Sequence, residues 1–102
     1  MNKMLREAQR MQEELAKAQE EASSEIVEAS AGGGMVTVKA NGAGEIVEMT
    51  IDPRAIDPDD PEILADMILA AVNEALRSAA GLMNSKMSGL LPGDLGGLLP
   101  GG

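Results

Sequence analysis

Lys3, Arg6, Arg10 and Lys17 follow one another at spacings of three, four and seven residues, which sets four cations along one side of a helix. Cations so arranged can meet the phosphates of duplex DNA, a contact that needs only charge and reach. Arg77 and Lys86 add two more in the second half of the chain. A purely structural use competes with this one. Lys3, Arg10 and Lys17 stand four residues before Glu7, Glu14 and Glu21, and each such pair stabilises a helix by roughly 0.2–0.5 kcal/mol.

Little other chemistry is open to the chain. It has no cysteine and no histidine, which excludes disulfides, zinc sites built on thiolate or imidazole, and nucleophilic catalysis of the Cys–His or Ser–His type. It has no aromatic residue either, so stacking on unpaired bases is unavailable. Asp57, Asp59, Asp60 and Glu62 gather carboxylates, but Pro58 and Pro61 and the missing turn glycine break the pattern of a calcium loop. Gly32-Gly33-Gly34 precedes a strand rather than a helix and lacks a Gly-Lys-Ser/Thr continuation, so it reads as a hairpin turn rather than a phosphate cradle. No metal, cofactor or small-molecule substrate is expected, and an enzyme is remote because the carboxylates have no partner to tune them.

Charge is unevenly distributed. The formal net charge of −9 argues against a polyanionic ligand. However, residues 1–12 set Lys3, Arg6 and Arg10 against Glu7 alone. Residues 13–30 hold six acids and one base, and residues 45–66 hold eight acids and one base. From residue 67 to 88 the balance returns to slightly positive, with Arg77 and Lys86 against Glu74.

The elements that must position these charges follow from periodicity. Met1, Met4, Ala8, Met11, Leu15, Ala18 and Ala22 alternate spacings of three and four, which is a heptad seam. Glu7, Glu14 and Glu21 fall in one column beside it and Lys3, Arg10 and Lys17 in another. A helix of about 30 Å is expected, fading near Ala22, with another helix, from this chain or a second copy, lying along the seam. Methionines 1, 4 and 11 are expected to pack there.

Glu25–Ala29 reads as a short strand and Ala31–Gly34 as a turn. Met35–Ala40 alternates as a strand, with Val36, Val38 and Ala40 on one face. Asn41-Gly42-Ala43-Gly44 turns the chain into a third strand, Glu45–Ile51. A four-residue loop is expected, since it sets Val38 opposite Val47 and Val36 opposite Met49. Asp60 is the expected N-cap of a second helix opened by Pro61. Leu64, Ile68, Ala71, Val72, Ala75, Leu76 and Ala79 form its apolar stripe, continued to about Ser88 across Gly81. The predicted domain is residues 1–88, followed by a Gly/Leu/Pro tail at 89–102 that contains Gly-Leu-Leu-Pro-Gly twice. Helix one enters the sheet by its C-terminus and helix two leaves it by its N-terminus, so their basic free ends can project on one side.

The core will be thin: 44% of the chain is hydrophobic, but this includes eight methionines and no aromatic ring. A homodimer pooling two half-cores is the expectation. No apolar run approaches the roughly 18 residues of a membrane span, and the charged first helix does not read as a signal peptide. A soluble intracellular protein is expected.

Ala8-Gln9-Arg10-Met11-Gln12-Glu13-Glu14-Leu15, the glycines before Met35-Val36-Thr37-Val38, Asn41-Gly42-Ala43-Gly44-Glu45, Ile51-Asp52-Pro53 and Ala70-Ala71-Val72-Asn73-Glu74-Ala75-Leu76 together resemble the YbaB/EbfC family of bacterial nucleoid-associated proteins. The similarity runs over about residues 1–90. It implies an α+β fold and an intertwined homodimer whose helices project like tweezers. It further implies duplex DNA binding with little sequence preference, and a role in nucleoid organisation and gene regulation in the cytoplasm and nucleoid. Carried onto this chain, the DNA contacts fall on the basic residues Lys3, Arg6, Arg10, Lys17, Arg77 and Lys86, while the heptad spacing itself assigns Met4, Ala8, Met11, Leu15 and Ala18 to a dimer or helix-packing seam. Nothing in these residues points to direct base readout. The alternative is a protein–protein adaptor for replication or recombinational repair machinery.

Overall fold

The structure, a computed structural model, describes residues 2–90; Met1 and residues 91–102 of the expected tail lie outside the described residues. Helix α1 spans Asn2–Ser24, strands β1, β2 and β3 span Ile26–Ala31, Val36–Asn41 and Ile46–Ile51, a short 3-10 turn covers Pro53–Ala55, and helix α2 spans Pro61–Ser88. The strands form one antiparallel sheet in the order β1-β2-β3, the expected α+β meander between two helices. Helix α1 runs two residues past Ala22, and β1 runs two residues beyond its expected end.

Alternation along β2 decides where the core lies. Val36, Val38 and Ala40 are fully buried, while Thr37 and Lys39 face the other side. Across the ladder, Ala29 stands opposite Val38 and Ala31 opposite Val36. Ala71, Ala75 and Ala79 of α2 close over this face with no exposure at all, and Leu64, Met67, Ile68 and Val72 pack at its margin. Alanine at spacing four lets the helix backbone approach the sheet closely. The core is correspondingly shallow, with Val36 and Val38 its largest fully buried side chains. Helix α2 covers β1 and β2 but barely reaches β3. Ile46 and Met49, opposite Ala40 and Val38, therefore remain about 40% exposed.

Two local expectations are corrected. Val38 pairs with Met49 and Val36 with Ile51, not with Val47 and Met49. Asn41 is the cause: its Oδ1 accepts from the backbone amides of Ala43 and Glu45 at 3.0 and 3.1 Å, and its Nδ2 donates to Glu45 Oε1 at 2.9 Å. The loop thus tightens until the Asn41 amide itself meets the Glu45 carbonyl, and a register shift beside Ala40 absorbs the extra residue, Val47. Apolar pairing survives with different partners. Asp60 does stand at the N-cap of α2 before Pro61, but its side chain accepts no cap hydrogen bond. Its amide is used instead, donating to the Asp57 carbonyl at 3.0 Å. Gly81 neither ends nor breaks α2.

Candidate nucleic-acid interface

Helix α1 leaves the body as a rod. Its 23 residues amount to about 34 Å, a large part of the 69 Å long axis of the molecule. Residues 2–14 are exposed throughout, and burial begins only at Leu15, Ala18 and Ala22. The heptad seam is therefore half used. Its C-terminal part meets α2, whereas Met4 and Met11 stay 76% and 46% exposed.

The root of this rod is built from three contacts. Gly42 presents its amide to the Ala22 carbonyl at 2.9 Å and is buried. A side chain there would meet the Ala22 carbonyl oxygen and come within 2.9 Å of the Ala22 Cβ, so this crossing needs glycine. Second, Lys86 in the last turn of α2 pairs with Glu25 at 2.9 Å. That hydrogen bond, the Coulomb attraction of Glu25 and the weaker pull of Glu21 raise the Lys86 pKa above its ordinary value. Third, Ala18 and Ala22 bury their methyl groups at the join. In the sequence, Asn41–Gly44 reads as a turn alone. The signal for the crossing is a glycine second in a loop that already has an asparagine to shape it.

The six candidate DNA-contacting cations fall into two groups. Lys3, Arg6 and Arg10 line one shallow groove together with Glu7, and Lys17 continues the same side toward the root. Among the described residues none of these four is ion-paired; the i,i+4 pairs open to them with Glu7, Glu14 and Glu21 are not formed. Arg77 and Lys86 are held otherwise. Arg77 binds Glu74 of its own helix at 2.7 Å, and Lys86, paired with Glu25, sits about 33 Å along α1 from Lys3. The basic C-terminal end of α2 therefore meets the root of α1 and does not project beside its tip as expected.

The acidic stretch lies in the turns of the body. Asp52 accepts from the Arg54 amide and pairs with its guanidinium at 2.8 Å. The guanidinium hydrogen bonds, followed by the amide, lower the Asp52 pKa from 3.8 to about 2. Asp57 uses its carboxylate on the Asp59 amide at 2.9 Å. Among the described residues no group of three or more carboxylates is placed to hold a metal ion. No described helix is long and apolar enough to cross a membrane. An apolar depression of about 340 Å³ lies between Gly42–Gly44 and Leu76, Ala80, Met83 and Asn84 of α2; sequence reading did not foresee it.

A helical rod with unpaired cations on an acidic α+β body can be compared with known proteins. The fold matches the crystal structure of an uncharacterized Helicobacter pylori protein with a TM-score of 0.79, covering 90% of this chain and 97% of that one at 24% identity. A protein of Ruminiclostridium cellulolyticum named nucleoid-associated protein is 50% identical over 88 residues, 86% of this chain and 76% of its own length. A Pelotomaculum thermopropionicum protein of the same name is 51% identical over 87 residues, 85% of this chain and 83% of its own. The family model described as the YbaB/EbfC DNA-binding family matches residues 1–95. With rod, sheet and covering helix all inside that match, the chain belongs to the YbaB/EbfC DNA-binding family.

Proposed function

We propose that this chain is a nucleoid-associated protein of the cytoplasm that binds duplex DNA as a homodimer, with little sequence preference, and so contributes to nucleoid organisation and gene regulation. The observation that carries this reading is the row Lys3, Arg6, Arg10 and Lys17, exposed and unpaired on α1. Every fixed cation–carboxylate pair among the described residues lies elsewhere. Phosphates are met by the α1 row, while Arg77 and Lys86, already engaged with Glu74 and Glu25, add to the approach field more than to direct contacts. The net charge of −9 opposes approach at long range, so binding is weak and strongly salt-dependent.

Dimerisation is supported by the uncovered part of the core face. Ile46 and Met49 on β3 and Leu69 on α2 are exposed apolar groups that a second body would cover, enlarging a core too thin for a robust monomer. Residues 1–88 act as the functional unit.

Fluorescence anisotropy of a labelled duplex titrated at about 50 and 200 mM salt is the test. Binding that weakens steeply between the two salts, and disappears when Lys3, Arg6 and Arg10 are all changed to Glu while the fold persists, is expected. Absence of binding at low salt overturns the reading in favour of a protein–protein adaptor.

A further inference from the structure

We propose that the open half of the α1 seam is a docking surface for a basic amphipathic helix of a partner protein. Met4, Ala8 and Met11 repeat at heptad spacing on the exposed part of the rod, and Leu15 is only half-buried. The apolar stripe is complete in sequence, but α2 covers only its last two turns, around Ala18 and Ala22. Met4 and Met11 are the largest groups on the open half, and methionine surfaces repack around varied apolar side chains.

What fits this stripe is decided by its flanks. On one side run Glu7, Glu14 and Glu21, none of them ion-paired among the described residues; on the other run Leu5, Gln12 and Gln19, which carry no charge. A helix with apolar residues at i, i+3, i+4 and i+7 and with Lys or Arg beside them complements such a groove. A second copy of α1 complements it poorly. Antiparallel pairing sets glutamate against glutamate, and parallel pairing sets Glu7 against Gln12 and Glu14 against Gln19, with no attraction gained. The cationic row lies more than a third of a turn from the apolar seam itself, while Glu7 borders both, lining one groove with Lys3, Arg6 and Arg10. The proposal goes beyond DNA binding and does not depend on it.

The test uses the full chain and two synthetic 18-residue helical peptides with identical leucine positions, one flanked by lysine and one by glutamate, followed by calorimetry. The lysine peptide is expected to bind at least tenfold tighter than the glutamate peptide. This preference should be lost in Met4→Gln/Met11→Gln and in Glu7→Gln/Glu14→Gln, and kept in Asp57→Asn/Asp59→Asn. Four results overturn the proposal: equal binding of the two peptides, no binding of either, equal loss in the Asp57/Asp59 variant, or dissociation of a dimer by the Met4/Met11 variant in light scattering. Duplex anisotropy run on the Met4/Met11 variant keeps the two readings separable, since its DNA affinity is expected to stay within twofold of the parent.

Discussion

The Gly42 amide donates to the Ala22 carbonyl at 2.9 Å, so the β2–β3 loop takes up a carbonyl at the C-terminal end of α1. Such carbonyls lack partners within their own helix. Supplied from the loop, the bond couples helix direction to sheet position. Gly42→Ala drives a methyl group into the Ala22 carbonyl. We expect a loss of about 1–3 kcal/mol, as for other overpacked contacts, and a melting temperature lowered by about 4–8 °C per kcal/mol. A thermal melt by circular dichroism measures it.

The covering helix should be just as sensitive on its inner face. Ala75 is fully buried between α2 and the sheet. Ala75→Leu must push the helix outward, at a cost of about 1–3 kcal/mol. Ala80→Leu, at an exposed position of the same helix, should change stability by less than about 0.5 kcal/mol. Urea unfolding of the two variants provides the comparison.

Acid titration should reveal the Asp52–Arg54 pair. Because the Asp52 pKa is lowered from 3.8 to about 2 in the folded chain, the folded state binds fewer protons than the unfolded state between those values. Its stabilising contribution is therefore full above pH 3.8 and is lost as the pH falls through about 2. The stability gap between the parent chain and Asp52→Asn should close across that window in acid unfolding followed by circular dichroism.

Lys86 obeys the opposite sign. Its pKa is raised, first by the Glu25 hydrogen bond, so its contribution is complete below the ordinary lysine range and disappears as pH rises through the raised value. Lys86→Met should loosen the root of α1, detectable as faster amide exchange at Ala22–Glu25. The salt slope of DNA binding should scarcely change.

That slope reports the α1 row. Neutralising Lys3, Arg6 and Arg10 with Gln should lower the slope of log K against log salt by about 2.7 per protomer, about 0.9 for each phosphate that no longer meets a cation. Arg77→Gln should lower it by far less, because Glu74 already holds that guanidinium. Anisotropy titrations over a salt series distinguish the two.

Periodicity made the helices and strands legible, because burying Val36, Val38 and Ala40 or Ala71, Ala75 and Ala79 demands a period that residue types alone reveal. The hairpin register was not legible. It depends on whether the Asn41 side chain bonds its own loop, and a one-residue difference in loop length leaves the apolar count of the pairing almost unchanged. Cation positions on α1 could likewise be read from spacing. The engagement of Lys86 with Glu25, 61 residues away, could not, since it arises from how two helices cross.

The three-point root of α1 makes the rod a lever arm. Lys3 stands about 28 Å from Ala22 along the axis, so a tilt of about 10° at Gly42 sweeps it through about 5 Å. Successive phosphates of one strand are about 3.4 Å apart along the duplex axis. A tilt too small to disturb the core therefore moves the cations by more than one phosphate step. Where the charges land is set by a glycine, two alanine methyls and one ion pair at the far end.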